Sequence, residues 1–564
     1  MAHARIVVIG GTAAGPKAAS RAKRLDGEAE VTLLQKAPEL SMASCGYPYY
    51  VAGEVQERAK LISTGAGVIR DPAFFAGAKG VAAMVNTEAT AIDREKRVVS
   101  WKNVQTGETG NIPYDKLILT TGAKPKIPPL PGRELTGVTT LASLADADTL
   151  RAIADAGKGK KAVIIGGGLI GMESCEALVT AGMDVTVVEA LPRALSFLDP
   201  ELAMLVENHA KSKGATIITG VGLTEILGTN GAVSGVRLAD GRELPCEVCV
   251  MAIGFAPETT LAKSAGITLG ATGGILTDEH MRTSDPNIYA AGDCVELKHR
   301  LTGAKVLAPF GDLANLEGRV AGENAVLGDT ATFPGTIGTG ICKVFDFAAG
   351  STGLSEAKAK QAGFKVVSAL AAGPERPGFM GSKSLISKIV AEADTGRILG
   401  FQCVGAGNVN RQVAEMAMAV MAGLTVDDVA MADLPYAPPF SLAIDNAIAV
   451  AHVVQNKMRG LYTGVSNLEI KEALDAGKAP YLLDVRGPKE YERMRLGVGE
   501  TLIPLGQLRK RLSELPADKT TPIVAYCMVS LRGYEAARVL MANGYTNVTV
   551  MEGGLTAWPF AREK

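Results

Sequence analysis

Two cysteines stand in settings that could make them chemically active. Cys45 lies in Ser41-Met42-Ala43-Ser44-Cys45-Gly46-Tyr47-Pro48-Tyr49-Tyr50-Val51-Ala52-Gly53, a small-residue turn running into an aromatic stretch. Cys527 closes a β-branched run and opens Cys527-Met528-Val529-Ser530-Leu531-Arg532, where backbone N–H groups and an arginine can cradle an anion. A thiolate in such a cradle is a nucleophile toward sulfur and can carry a terminal persulfide. The other six cysteines are scattered. Cys246 and Cys249 form a CxxC, but within a strand-like segment, where side chains three apart face opposite ways; this pair reads as structural. The five histidines are isolated, so no metal site is expected.

Two glycine turns provide the second kind of chemistry. Gly166-Gly167-Gly168-Leu169-Ile170-Gly171 follows a β-branched strand and opens a small-residue helix, and Glu189 ends the next strand. That spacing suits a dinucleotide, with pyrophosphate at the helix N-terminus and the Glu189 carboxylate on the ribose 2′-hydroxyl. A carboxylate there repels a 2′-phosphate, so NADH is expected over NADPH. The same order occurs at Gly10-Gly11-Thr12-Ala13-Ala14-Gly15, with Thr12 replacing the middle glycine. Gln35 stands where an acid would hold a ribose, followed by Lys36; the Gln35 amide is expected to hydrogen-bond the hydroxyls.

The elements that must position these groups can be traced along the chain. With 564 residues, three or four domains are expected. Hydrophobic content of 47% and charged content of 21% describe a globular protein, and the 65 glycines fit many tight turns. A net charge of −1 provides no bulk attraction to nucleic acid or membrane. The first residues lead directly into a strand, so a cytoplasmic enzyme is expected. The fold class is α/β: two Rossmann-like dinucleotide-binding domains, an α+β dimerisation domain and a C-terminal α/β domain. The expected boundaries are 1–125 with 256–330, then 126–255, 331–455, a linker at 456–466, and 467–564.

Thr283-Ser284-Asp285-Pro286-Asn287-Ile288-Tyr289-Ala290-Ala291-Gly292-Asp293 makes the resemblance plain. Residues 5–293 resemble the flavin disulfide reductases with two dinucleotide folds. The resemblance implies FAD on the first fold, with Asp293 at the flavin ribitol and Ser44 near the ring. It also implies crossover strands carrying Thr121, Gly122 and Gly254. Residue 50, where many members have a second redox cysteine, is Tyr50, so Cys45 resembles the single-cysteine branch. Its Cys-Gly-x-Pro-Tyr-Tyr-x-x-Gly form is similar to the coenzyme A-disulfide and persulfide reductases. That implies coenzyme A as substrate or ligand, with Arg21, Arg24, Ser41, Ser44 and Lys79 as its contacts. It also implies a homodimer in which Tyr436 of Tyr436-Ala437-Pro438-Pro439 reaches Cys45 of the partner. A helix N-terminus next to an oxidised flavin ring is expected to stabilise the Cys45 thiolate. Ile444 and Phe379 depart from the pattern, replacing a lysine and a phenol. A second reading is an NADH oxidase or peroxidase in which Cys45 cycles through a sulfenic acid.

Residues 465–564 resemble a rhodanese domain on three ordered segments: Leu482-Leu483-Asp484-Val485-Arg486, the Cys527 loop, and Glu552-Gly553-Gly554-Leu555-Thr556-Ala557-Trp558. The resemblance implies sulfane-sulfur transfer at Cys527, assisted by Arg532.

Overall fold

The computed structural model describes residues 4–564. The chain forms two compact units, Met1–Ala190 with Gly220–Thr336, and Leu191–Thr219 with Ile337–Lys564. Among the described residues no helix is long and apolar enough to cross a membrane.

The first unit is built on β-branched strands too apolar to face water. Arg5–Ile9 is the middle strand of a five-stranded parallel sheet. Glu30–Leu34 and Ala82–Met84 lie on one side; Lys116–Leu119 and Ile288–Ala290 lie on the other. Ile9 pairs with both Leu34 and Leu119, so the strand ends converge on Gly10, where the winding reverses. A reversal of this kind leaves a crevice at the carboxyl ends of the strands. A second parallel set, Asp184–Glu189, Lys161–Ile165, Val248–Met251 and Val138–Thr139, repeats the arrangement around Gly166. Ala123–Pro125 and Phe255–Pro257 pair antiparallel as the expected crossover.

In the second unit, Gly340–Val344, Phe347–Gly353, Ile398–Gly405, Ser384–Glu392 and Val366–Pro374 form an antiparallel sheet backed by the helices Val409–Ala422 and Asn446–Met458. A five-stranded parallel sheet follows, ordered Gly464–Val465, Val548–Met551, Ile523–Tyr526, Tyr481–Asp484, Thr501–Leu502. The helix Pro200–Ser212, inside the segment 126–255, clusters with this unit. The cause is a buried lysine: Lys388 pairs with Glu201 at 2.6 Å, Glu356 at 2.8 Å and Asp199 at 3.1 Å.

The segment 456–466 is not a loose tether. The helix Asn446–Met458 occupies its start and the strand Gly464–Val465 its end, leaving only Arg459–Thr463 between them. Even there, Tyr462 is 5% exposed and packs into the C-terminal core with Leu483, Ala525 and Cys527.

Candidate functional site

Both glycine turns are sterically compulsory. A side chain at Gly10 (φ 110°) would put its Cβ 2.0 Å from the Thr120 carbonyl oxygen, and one at Gly15 would stand 1.8 Å from that of Gly10. Gly166 and Gly171 repeat this, at 2.3 Å from the Ala252 carbonyl oxygen and 1.9 Å from that of Gly166. Each turn leads into a 12-residue helix, Ala14–Leu25 or Leu169–Thr180, with no acid in its first turn and no side chain capping its amides. Those amides are free for a diphosphate. Gly168, exposed, would have nothing within 4 Å of an added Cβ, which leaves room for a ligand to approach the backbone. Gly122 and Gly254, each just before a crossover strand, likewise have nothing within 4 Å of an added Cβ. This cradle fits two dinucleotides.

The two residues expected at the riboses each hold a backbone amide of their own glycine turn. Gln35 is buried; its Oε1 accepts from Gly11 N–H at 2.9 Å and its Nε2 donates to the Glu39 carbonyl at 3.2 Å. It therefore braces the glycine turn. Glu189 Oε2 accepts from Gly167 N–H at 2.7 Å, the same brace in the second fold. Lys36 lies on the surface, paired with Glu88 at 2.8 Å. Thr121 Oγ1 donates to the Glu258 carbonyl at 2.5 Å, fixing the crossover. Thr120, which sequence reasoning passed over, donates to the carbonyls of Ile9 at 2.8 Å and Gly10 at 3.0 Å.

Asp293 follows the strand Ile288–Ala290, and burial pushes its carboxyl up to about 6. Glu317, on the helix Gly311–Leu327, was not foreseen. Its Oε2 accepts from Gly292 N–H at 2.7 Å, holding the turn that presents Asp293. Burial, opposed by that bond and reinforced by Asp293 and Asp312, pushes Glu317 up to about 8.

Cys45 is exposed and sits in a 3₁₀ turn, Ser44–Gly46, ahead of the short helix Tyr47–Val51. Ser41 N–H bonds the Gly11 carbonyl at 2.7 Å, which clips the cysteine segment to the first glycine turn. A Cβ on Gly311 would stand 3.7 Å from Cys45 Sγ, so the start of the long helix Gly311–Leu327 faces the sulfur. The side chains around the sulfur act against its ionisation. Partial desolvation, then Glu173, Asp293 and Asp312, push the thiol above its ordinary value, and only the Ser44 hydroxyl pulls it down.

A cleft of about 440 Å³ opens beside this turn, lined among others by Thr12, Lys17, Arg24, Ser41, Arg70 and Lys79. Three of the expected ligand contacts, Arg24, Ser41 and Lys79, share it. Arg21 does not; its guanidinium is turned to Glu323 at 2.5 Å. Ser44 serves Cys45 instead. Lys17 and Arg70 are cations the sequence did not single out. Lys17 could have been found one helical turn before Arg21, whereas Arg70 carries no local signal.

In the second unit Tyr436, 53% exposed, lies between the helices Val426–Ala430 and Asn446–Met458, with Ile444 exposed on the same segment. Phe379, also exposed, is in the 3₁₀ turn Gly378–Met380. Cys527 immediately follows the strand Ile523–Tyr526 and is buried. Its loop turns through Ser530, whose φ of 88° is held by an Oγ bond to the Met551 carbonyl at 3.1 Å. The helix Leu531–Ala542 then starts and presents Arg532. Both Arg532 terminal nitrogens bond the Glu490 carboxylate at 2.7 Å, which holds Glu490 down at about 2. Glu490 first and the Cys527 sulfur after it raise the Arg532 guanidinium. Cys246 and Cys249 are buried thiols pushed up to about 11 and about 12, in keeping with a structural pair.

The chain matches the family described as pyridine nucleotide-disulphide oxidoreductase over residues 4–307. It matches the dimerisation domain of that family over 339–448 and the rhodanese-like domain over 466–560. An NAD(P)H coenzyme A polysulfide/persulfide reductase of Pyrococcus horikoshii is 35% identical over 456 residues, covering 80% of this chain and 98% of that protein. The structure of a NAD-dependent persulfide reductase from A. fulgidus aligns with TM-score 0.93 at 41% identity, covering 98% of this chain and 100% of that one. Reduced Bacillus anthracis CoADR-RHD aligns with TM-score 0.90 at 34% identity, covering 99% and 98%.

Proposed function

The chain belongs to the pyridine nucleotide-disulphide oxidoreductase family, with a rhodanese domain at its C-terminal end, and from this we propose how its two cysteines divide the work. It is an FAD- and NADH-dependent reductase of small disulfides, persulfides or polysulfides. The observation that carries the reading is the juxtaposition of Cys45, clipped to the first glycine turn, with a cationic cleft of substrate size.

FAD, when bound, supplies the relay of an electron pair from NADH to sulfur. Gly10–Gly15 and the helix Ala14–Leu25 hold its diphosphate, and Asp293, positioned by Glu317, holds its ribitol. Gly166–Gly171 and Glu189 hold NADH. Cys45 attacks the substrate sulfur and keeps one half as a mixed disulfide or persulfide. Lys17, Arg24, Arg70 and Lys79 receive the phosphates of a coenzyme A-type thiol. Tyr436, contributed by the partner in a homodimer that the dimerisation domain supports, donates the proton to the leaving thiolate. Cys527 accepts sulfane sulfur from a donor, with Arg532 stabilising the anion.

An NADH-oxidation screen tests this. Coenzyme A persulfide, coenzyme A disulfide and polysulfide should each be turned over faster than oxygen or peroxide. Oxygen or peroxide as the fastest acceptor would instead favour an oxidase cycling Cys45 through a sulfenic acid.

A further inference from the structure

The Cys527 loop rests on the segment that follows the strand Val548–Met551. Leu555 N–H bonds the Cys527 carbonyl at 3.0 Å, and Thr556 N–H bonds that of Met528 at 2.9 Å. A Cβ on Gly554 would stand 2.5 Å from the Cys527 carbonyl oxygen, so this contact has no slack. Whatever moves residues 551–556 moves the sulfur.

Glu552 lies inside that segment, is 7% exposed, and faces away from the loop toward the antiparallel sheet. Its Oε2 accepts from Leu370 N–H at 3.0 Å, on Val366–Pro374, the last strand of that sheet. Its other oxygen forms an ion pair with Lys457, on the helix Asn446–Met458. Lys457 Nζ also donates to the Ser368 carbonyl at 2.6 Å, on the same strand. Next to it, a Cβ on Gly553 would stand 2.3 Å from Leu370 Cδ2, so the Leu370 side chain packs directly on the Gly553 backbone. The Tyr462 ring closes the arrangement. Its phenol is buried without a hydrogen-bond partner, in the core cluster that contains Cys527. Burial raises that phenol, and the charges of Glu552 and Cys527 raise it further, which puts all three groups in one region. A carboxylate this deep is retained only if its partners compensate its desolvation. Here all of them lie outside the rhodanese sheet.

We propose that Glu552 is a positioning residue for sulfur transfer at Cys527, through which Lys457 and the strand Val366–Pro374 of the preceding domain set the geometry of the sulfur-carrying loop. The proposal rests on the reading of Cys527 as a sulfane-sulfur carrier. In that step the Cys527 thiolate attacks the outer sulfur of an organic persulfide anion. The sulfur–sulfur bond of the donor breaks, a new one forms on Cys527, and the donor leaves as its thiolate with no net change in oxidation. An attack of this kind depends on alignment with the breaking bond, so a shift of the loop lowers turnover more than it lowers donor binding.

The test uses full-length flavoprotein, glutathione persulfide as donor and cyanide as acceptor, with thiocyanate as readout. Lys457→Met and Glu552→Gln should each lower kcat about fivefold with KM unchanged, and the double variant should be no slower than the worse single one. Lys457→Met removes a charge far in sequence from Cys527 and should leave NADH-driven disulfide reduction at wild-type rate. Wild-type kcat in Lys457→Met, a KM effect alone, or multiplication to about 25-fold in the double variant would overturn the positioning role while leaving Cys527 its function. Thiocyanate formation that survives Cys527→Ser would overturn both.

Discussion

Cys45 and Cys527 are two answers to the same problem, how a protein manages a reactive sulfur. Cys527 is buried, enclosed by a loop with its own arginine, and that arginine is locked to Glu490 by two bonds of 2.7 Å. Cys45 is exposed at the surface of its turn, yet partial desolvation and then its carboxylate neighbours push its thiol up. The rhodanese sulfur thus carries its countercharge in the chain, whereas the reductase sulfur sits where the chain opposes its negative charge. A site of the second kind favours sulfur that is bonded to something else, as in a mixed disulfide, and leaves electrostatic help to ligands. The two sulfurs thus differ in the sign of the charged side chains around them.

The comparison breaks most sharply if the sulfurs are removed one at a time. Cys45→Ser should lower NADH-driven persulfide or disulfide reduction by about 1,000-fold or more, while the protein still binds FAD and is still bleached by NADH. Cys527→Ser should abolish thiocyanate formation by a similar factor and leave reduction of small diffusible acceptors intact. Reduction of polysulfide by Cys45→Ser at the wild-type rate would refute the division of labour.

A smaller effect isolates the built-in cation. Arg532→Lys retains the charge and loses the fork that Glu490 grips, so sulfur transfer at Cys527 should fall about tenfold. NADH-driven turnover should not change. If both activities fall together, the two sulfurs are not independent.

The nicotinamide side sharpens the contrast further. Gln35 shows that an amide braces a glycine turn as well as Glu189 does. Glu189→Gln should therefore leave the turn intact and remove only the charge, reducing the preference for NADH over NADPH by about tenfold in kcat/KM. An unchanged ratio would mean that the charge does not read the ribose.

The smallest effect concerns the acid crowd on the Cys45 side. Glu317 and Asp293 have folded-state values raised to about 8 and about 6. A raised carboxyl contributes stability that is complete below its unfolded value, near 4.5 for a glutamate, and is lost as pH rises through the folded value. The apoprotein should accordingly lose melting temperature between about pH 5 and 8. Glu317→Gln, which mimics the protonated acid, should flatten that slope, and an equal slope in both proteins would show that Glu317 does not titrate there.

The parts of the molecule legible in the sequence were those written locally. Gly10, Gly15, Gly166 and Gly171 announce turns because no side chain fits, and the Cys527 loop is read within six residues. What escaped depends on partners far along the chain. Arg21 looked free until the helix holding Glu323, 302 residues later, lay against it. Glu317 reaches back 25 residues to Gly292, and Arg70 joins the cleft without a motif. The Gln35 brace could have been anticipated from Glu189, since both sit just over twenty residues after their turns, but hydrogen-bond direction cannot be read from spacing.

The five residues Arg459–Thr463 link two bodies that are already fastened at Leu370, Lys457 and Glu552, with Tyr462 seated on the rhodanese side. The peptide bonds there are covalently continuous but mechanically redundant. A protease that cuts after Arg459 would change the mass of the polypeptide on a denaturing gel and leave the native particle undivided on a sizing column.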